Sequence, residues 1–175
     1  SRLGLTTEPD ASRNRCSVIG CSGRFSHPNA DLWLENSGTS IRFLTSFCTA
    51  GDGQYRLDGI ERMRERPIAD LVEALNALGA DVRCEDQTSG CPPVTVNSGS
   101  HRLQGGTAKI AGNISSQFLS SLLMTAPAAR TAVRLEVDGE LVSKPYVTMT
   151  LEMMKAFGVN VEYPDDLSVF RIEPQ

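Results

Sequence analysis

Apolar residues recur at helical spacing in two stretches of the chain. Ile68, Leu71, Val72, Leu75 and Leu78 share one face of a helix that Gly79 ends, and Val147, Leu151, Met154 and Phe157 repeat the pattern ahead of Gly158. Two further apolar runs open on polar turns, "NSGTSIRFLTSFCTA" at 36–50 and "NISSQFLSSLLMTA" at 113–126, and predict two more helices. Between the helices lie β-type stretches. "QYRLDGI" (54–60) and "AVRLEVDG" (132–139) follow the polar-start helices; "DVRCE" with "PVTVN", and "NVEYP" with "SVFRIEP", follow the other two. Residues 1–35 ("RCSVIGC", "ADLWLEN") and 101–111 are expected to add strands.

These elements form an internal repeat. "FLTS" at 43–46 returns as "FLSS" at 118–121, Asp58-Gly59 as Asp138-Gly139, Arg66-Pro67 as Lys144-Pro145, and "ALGADV" at 77–82 as "AFGVNV" at 156–161. The offsets are 75, 80, 78 and 79, so four landmarks recur in order at nearly one spacing. The fold class is α/β, with repeated strand-helix-strand-helix-strand-strand units and helices packed under sheets. At 175 residues the chain is expected to form a single domain, 1–175.

Stacking explains the apolar positions but not the chemistry at the helix starts. Asn36, Ser37, Gly38, Thr39 and Ser40 precede the first helix, and Ser115, Ser116 and Gln117 open the third. Ser143, Lys144, Pro145 and Tyr146 open the fourth. Any one serine or threonine here is accounted for as an N-cap. Gly38 leaves room for a ligand to approach backbone N–H groups, and repetition is expected to bring the four starts to one edge. Before the second helix stand Arg62, Arg64 and Arg66, then Pro67, which suits a first helical position. In an extended segment the three cations would share a face. Arg64 and Arg66 are expected to pair with Glu61, Glu65 or Asp70.

Charge narrows the ligand class. The net charge of -4 argues against a nucleic-acid surface, so a local cationic site fits a small anion. No apolar run approaches a membrane span. Five cysteines without CxxC spacing suggest neither a disulfide framework nor zinc, and a reduced, cytoplasmic compartment is expected. No metal site is predicted.

Four stretches carry a family resemblance: "ENSGTSIRFLT", "DGIERMRERPIADLVEALNALGA", "GNISSQFLSSLLMTAPAA" and "LVSKPYVTMTLEMMKAFGV". In these motifs and their order the chain resembles the 5-enolpyruvylshikimate-3-phosphate (EPSP) synthase family. The resemblance implies transfer of the enolpyruvyl group of phosphoenolpyruvate to the 5-hydroxyl of shikimate 3-phosphate, with release of phosphate and no metal or organic cofactor. It implies that this chain is most of the domain that binds shikimate 3-phosphate, its second domain lying elsewhere in the polypeptide. Carried over by motif, Ser115, Ser116, Gln117, Ser143 and Tyr146 match contacts to shikimate 3-phosphate, and Gly38, Arg62 and Gln117 match the phosphoenolpyruvate side. No acid–base pair matches, so the chain alone is expected to bind and not turn over. Ser37, Ser40 and Phe43 depart from the usual N-A-G-T-A-x-R-P form, while the retained Gly38 implies room for glyphosate. The related UDP-N-acetylglucosamine enolpyruvyl transferases lack "ISSQFL" and use a cysteine-bearing loop that is unmatched here. A non-catalytic sugar-phosphate-binding module is the alternative from another class.

Overall fold

The computed structural model describes residues 2–21, 25–99 and 101–175; parts of the expected 1–35 and 1–175 spans, at residues 1, 22–24 and 100, lie outside the described residues. A two-stranded antiparallel hairpin, β1 (Thr7–Asp10) and β2 (Arg15–Val18), comes first. Two units of identical topology follow. The first runs β3 (Asn29–Trp33), α1 (Gly38–Cys48), β4 (Gln54–Asp58), a 3-10 turn (Glu61–Glu65), α2 (Ala69–Ala77), β5 (Val82–Cys84) and β6 (Val94–Asn97). The second runs β7 (Gly106–Ala111), α3 (Ser116–Thr125), β8 (Val133–Asp138), α4 (Lys144–Ala156), β9 (Val161–Glu162) and β10 (Val169–Ile172).

Each unit closes a four-stranded sheet in the same order, β3-β4-β6-β5 and β7-β8-β10-β9. The first two strands of each are parallel, joined through a helix, and the other pairings are antiparallel. Leu57 stands between Leu32 and Val94 in the first sheet, and Leu135 between Ala108 and Phe170 in the second; all six are buried. Alternate residues face outward, so helices cover one side of each sheet. Burying each of the leucine, valine and phenylalanine side chains among them stabilises the fold by roughly 1.5–3 kcal/mol.

α2 and α4 end alike because of one glycine each. Gly79 (φ +87°) and Gly158 (φ +86°) take the left-handed conformation that a side chain disfavours. Ala80 N then bonds to Leu75 O (3.1 Å), and Val159 N to Met154 O (3.0 Å). Gly4 has nearly the same φ, +79°, and is likewise followed by an antiparallel strand pair, so residues 2–21 have the form of a third unit's tail. The sequence repeat alone predicted strands here without their place in the pattern.

α3 is the central helix. Phe118, Leu119, Leu122 and Leu123 are buried, and it packs against both α1 and α4. Small hydroxyl residues line these contacts. Ser46 Oγ donates to Ser121 Oγ (2.9 Å) across α1–α3, and Ser120 and Thr150 share a hydrogen bond (2.9 Å) across α3–α4. α2 packs against β7, and its Leu71 and Leu75, with Ile68 at its N-cap, are buried. The counterparts on α4 are Tyr146, Met149 and Met153, 56–62% exposed. Among the described residues no helix is long and apolar enough to cross a membrane.

The arginine segment corrects one expectation. Arg62 and Arg64 lie in a 3-10 turn and Arg66 is its extended C-cap, so the three do not share a face as they would in a strand. The helix starts at Ala69 rather than Pro67, because Ile68 has a non-helical φ of −139° and its N–H bonds to Gly90 O (2.9 Å).

Candidate active site

Three of the four helix starts meet at one cavity of about 500 Å³. Thr39 borders it from the first turn of α1; Ser115, Ser116 and Gln117 from the start of α3; Ser143 and Tyr146 from the start of α4. All five residues matched above to shikimate 3-phosphate therefore line a single space. Phe43, Ile114 and Met149 add apolar side chains to its lining. Such a space suits a ring with hydroxyls at its edge.

Local structure decides which groups remain available. Ser115 is the N-cap of α3 and accepts from Gln117 N (3.3 Å), as the unremarkable capping reading requires. Ser143 behaves differently. It precedes α4 with φ +56° and ψ +39°, uncommon for a serine, and its side chain makes no capping bond. Pro145, in the first turn, has no N–H to cap. The Ser143 hydroxyl is therefore left to the cavity it borders.

Gln117 is held from two sides. Arg42 Nη1 donates to its Oε1 (2.6 Å), and its Nε2 donates to Thr39 Oγ1 (3.0 Å). Arg42 in turn lies over the Phe118 ring at 5.0 Å. The guanidinium is half-buried, and burial, then the nearby Arg66 cation, lower its pKa below the ordinary arginine value.

The three arginines of the 3-10 turn and its C-cap have three fates. Arg62 pairs with Glu65 on the surface. Arg64 is clamped by Asp58, a buried carboxylate that accepts from its Nε (3.0 Å) and Nη2 (2.7 Å), from Gly59 N (2.8 Å), and pairs with Arg56 at 3.2 Å. Burial pushes the Asp58 carboxyl up, but these hydrogen bonds and cations outweigh it and hold the pKa below the usual aspartate value. Arg66 takes no acid. Its Nη1 donates to Asn36 O (3.2 Å), and its guanidinium lies against Gly38. The expected partners of Arg64 and Arg66 were Glu61, Glu65 and Asp70; Asp58 and a backbone carbonyl take their place. Among the described residues neither Arg42 nor Arg66 has a carboxylate within ion-pair distance. Gly38 is buried beside Thr39, and Gly38 and Arg62 stand outside the lining of the cavity itself.

Comparison with known proteins bears on the whole chain. The family model for EPSP synthase (3-phosphoshikimate 1-carboxyvinyltransferase) matches residues 1–175. The chain belongs to the EPSP synthase family. The chloroplastic 3-phosphoshikimate 1-carboxyvinyltransferase of Arabidopsis thaliana is 49% identical to it, over 98% of this chain and 34% of the relative. The protein of that name from Shewanella loihica is 47% identical, over 91% of this chain and 37% of the relative. The chain thus spans about a third of the length of these curated relatives. A solved EPSP synthase from Acinetobacter baumannii superposes with a TM-score of 0.81 at 21% identity, covering 99% of this chain and 37% of that one, and shows the same fold.

For this EPSP synthase-family chain, sequence reasoning missed Arg42 and Asp58. The first was legible: the offset of 75 that aligns "FLTS" with "FLSS" also sets Arg42 opposite Gln117. Asp58 was read only as a landmark of the repeat, because nothing local signals that its carboxylate turns back to Arg64.

Proposed function

We propose that this chain is the shikimate-3-phosphate-binding half of an EPSP synthase, a transferase of aromatic amino-acid biosynthesis. The full-length protein would move the enolpyruvyl group of phosphoenolpyruvate to the 5-hydroxyl of shikimate 3-phosphate. The observation that carries this reading is the convergence of Ser115, Ser116, Gln117, Ser143 and Tyr146 on one cavity. Serine hydroxyls at the amino ends of α3 and α4 suit a phosphate ester, where the helix dipoles favour negative charge. Tyr146, 62% exposed at the cavity, offers a flat apolar face to the ring. Gln117 lies between this space and Arg42, which fits a group shared by both substrates. Gly38 and Arg62 are proposed for the phosphoenolpyruvate side.

Enolpyruvyl transfer needs a proton delivered to the methylene carbon of phosphoenolpyruvate and another removed from the attacking hydroxyl. Among the described residues the cavity lining contains no carboxylate, lysine or histidine. This supports an acid–base pair supplied by a second domain, with this half binding, orienting and excluding water. Room for glyphosate on the phosphoenolpyruvate side belongs to the same proposal. So does a reducing compartment such as the cytoplasm, supported by five free cysteines, three of them buried.

The test is an amide-resolved titration of the chain with shikimate 3-phosphate, against inorganic phosphate as control. Saturable shifts at Ser115, Ser116, Gln117 and Tyr146 beyond those from phosphate are expected. Equal responses to both ligands would refute the assignment. Phosphate release dependent on both substrates, with the chain alone, would refute the division of labour.

A further inference from the structure

Two thiols of the first unit take no part in the site described above. Cys84 ends β5 and Cys91 follows seven residues later; both are free and buried, 7% and 6% exposed. The chain between them turns back on itself. Cys84 stands opposite Val94 across β5–β6, and Glu85 N donates to Pro93 O (2.9 Å), so residues 91–93 return alongside the end of β5. The intervening loop is held by its own side chains. Asp86 Oδ1 accepts from Thr88 N (2.9 Å) and Thr88 Oγ1 (2.6 Å), and Ser89 Oγ accepts from Cys91 N (3.2 Å). The loop in turn holds α2, because Gly90 O accepts the Ile68 N–H at 2.9 Å. Between loop and helix lies a cavity of about 380 Å³, bordered by Cys84, Gln87 and Gly90 on one side and by Ala69, Val72 and Glu73 on the other. Burial, then the charges of Cys91 and Asp86, push the Cys84 thiol up; burial, then Asp86, push Cys91 up. Cys84 therefore feels Cys91 through space. Both are thiols rather than thiolates at neutral pH, which slows their attack and suits a response to sustained oxidation.

We propose that Cys84 and Cys91 are a redox-sensitive pair that closes to a disulfide and latches the 85–90 loop at the start of α2. The inference stands apart from the functional reading above. The oxidant class is a small disulfide such as oxidised glutathione. Cys84, the thiol that borders the cavity, loses its proton and attacks one sulfur of the oxidant. A mixed disulfide forms, and the expelled thiolate takes up that proton. Cys91 then loses its proton, giving up its donation to Ser89 O (3.3 Å), and attacks Cys84 Sγ. The internal S–S bond forms, the mixed bond breaks, and the second external thiol leaves with that proton. Two protein thiols are oxidised by two electrons, and one external disulfide is reduced to two thiols. Excess reduced glutathione runs the same steps backward, so in a reducing compartment the pair rests as thiols.

The test is equilibration of the full-length protein across a series of oxidised and reduced glutathione mixtures, followed by alkylation and peptide mass mapping. The expected product is a Cys84–Cys91 cross-link, lighter than the dithiol form by two hydrogens and lost on adding dithiothreitol. The oxidised protein should melt a few degrees higher, as closure of a short loop requires. Its Ile68 amide should exchange with deuterium more slowly. Cys91→Ser should stop at glutathione bound to Cys84, and an unmodified Cys84 in that variant would overturn the order of attack. Cross-linking in the wild type decides the pairing even where the variant fails to fold. Glutathione adducts on the wild-type pair with no cross-link between them would overturn the proposal. So would a pair that stays reduced while the exposed Cys16 is modified. A cross-link that leaves both Tm and Ile68 exchange unchanged would overturn the latch.

Discussion

Replacing Arg42 by methionine separates a role in folding from a role in binding. Methionine keeps an apolar stem over Phe118 but loses the charged donor to Gln117. A hydrogen bond to a charged group contributes about 1.5–3 kcal/mol, and a cation over a ring adds about 0.5–1 kcal/mol. Two effects oppose these gains. The cation is half out of water, and Arg66 repels it, and together these depress the Arg42 pKa. The net destabilisation is therefore about 1 kcal/mol, a fall in Tm of about 2–4 °C for a domain of this size. Binding is expected to suffer more in relative terms. With one of its two tethers gone, the Gln117 amide must be ordered when substrate arrives, at a cost of about 1–2 kcal/mol in side-chain entropy. That corresponds to a rise in KM of about tenfold. Steady-state kinetics on the full-length protein, with each substrate varied in turn, alongside thermal melting, provide both readouts. A melting temperature lowered by about 8 °C or more with unchanged KM values would show that Arg42 is a packing group and refute the reasoning.

Two further predictions follow from the same geometry. Asp58→Asn is expected to lower Tm at neutral pH, because amide hydrogens then face Arg64 where a carboxylate accepted two bonds. The folded pKa of Asp58 is lowered, so its contribution is present above the unfolded value of about 3.9 and is lost as pH falls through the folded value. The gap in Tm between wild type and variant should hold from about pH 5 upward and close below about pH 4; a gap constant into acid would contradict the linkage. Ser143→Gly should keep or raise Tm, since relief of the positive φ offsets the entropy of glycine, yet raise KM for shikimate 3-phosphate. A Tm lower by several degrees, or an unchanged KM, counts against the role assigned to that hydroxyl.

The repeat made most of the fold legible in advance. Apolar periodicity placed α2 and α4, glycines marked their ends, and alternation marked the closing strands, because each signal is local to a few residues. What stayed hidden depends on contacts distant in sequence. The 3-10 conformation at Glu61–Glu65 accompanies the bond from Arg64 to Asp58, and the late start of α2 accompanies a carbonyl offered by Gly90. Of the candidate site, the serines at the helix starts were visible as clusters richer than capping needs. Arg66 against Gly38 was not, because a glycine in a sequence does not say what lies over it.

Arg42 and Gln117 are 75 residues apart, as are Ser46 and Ser121, and both pairs are hydrogen-bonded. In each pair a residue touches its own counterpart from the other unit. Two identical copies would set arginine against arginine at the first pair, a like-charge contact half out of water. Divergence at that one position turns repulsion into a donor–acceptor bond. Serine both donates and accepts, so it can face itself and is serine in both copies. In a duplicated gene of this architecture, the chemistry of self-contact sorts the positions that must drift apart from those that can stay twins.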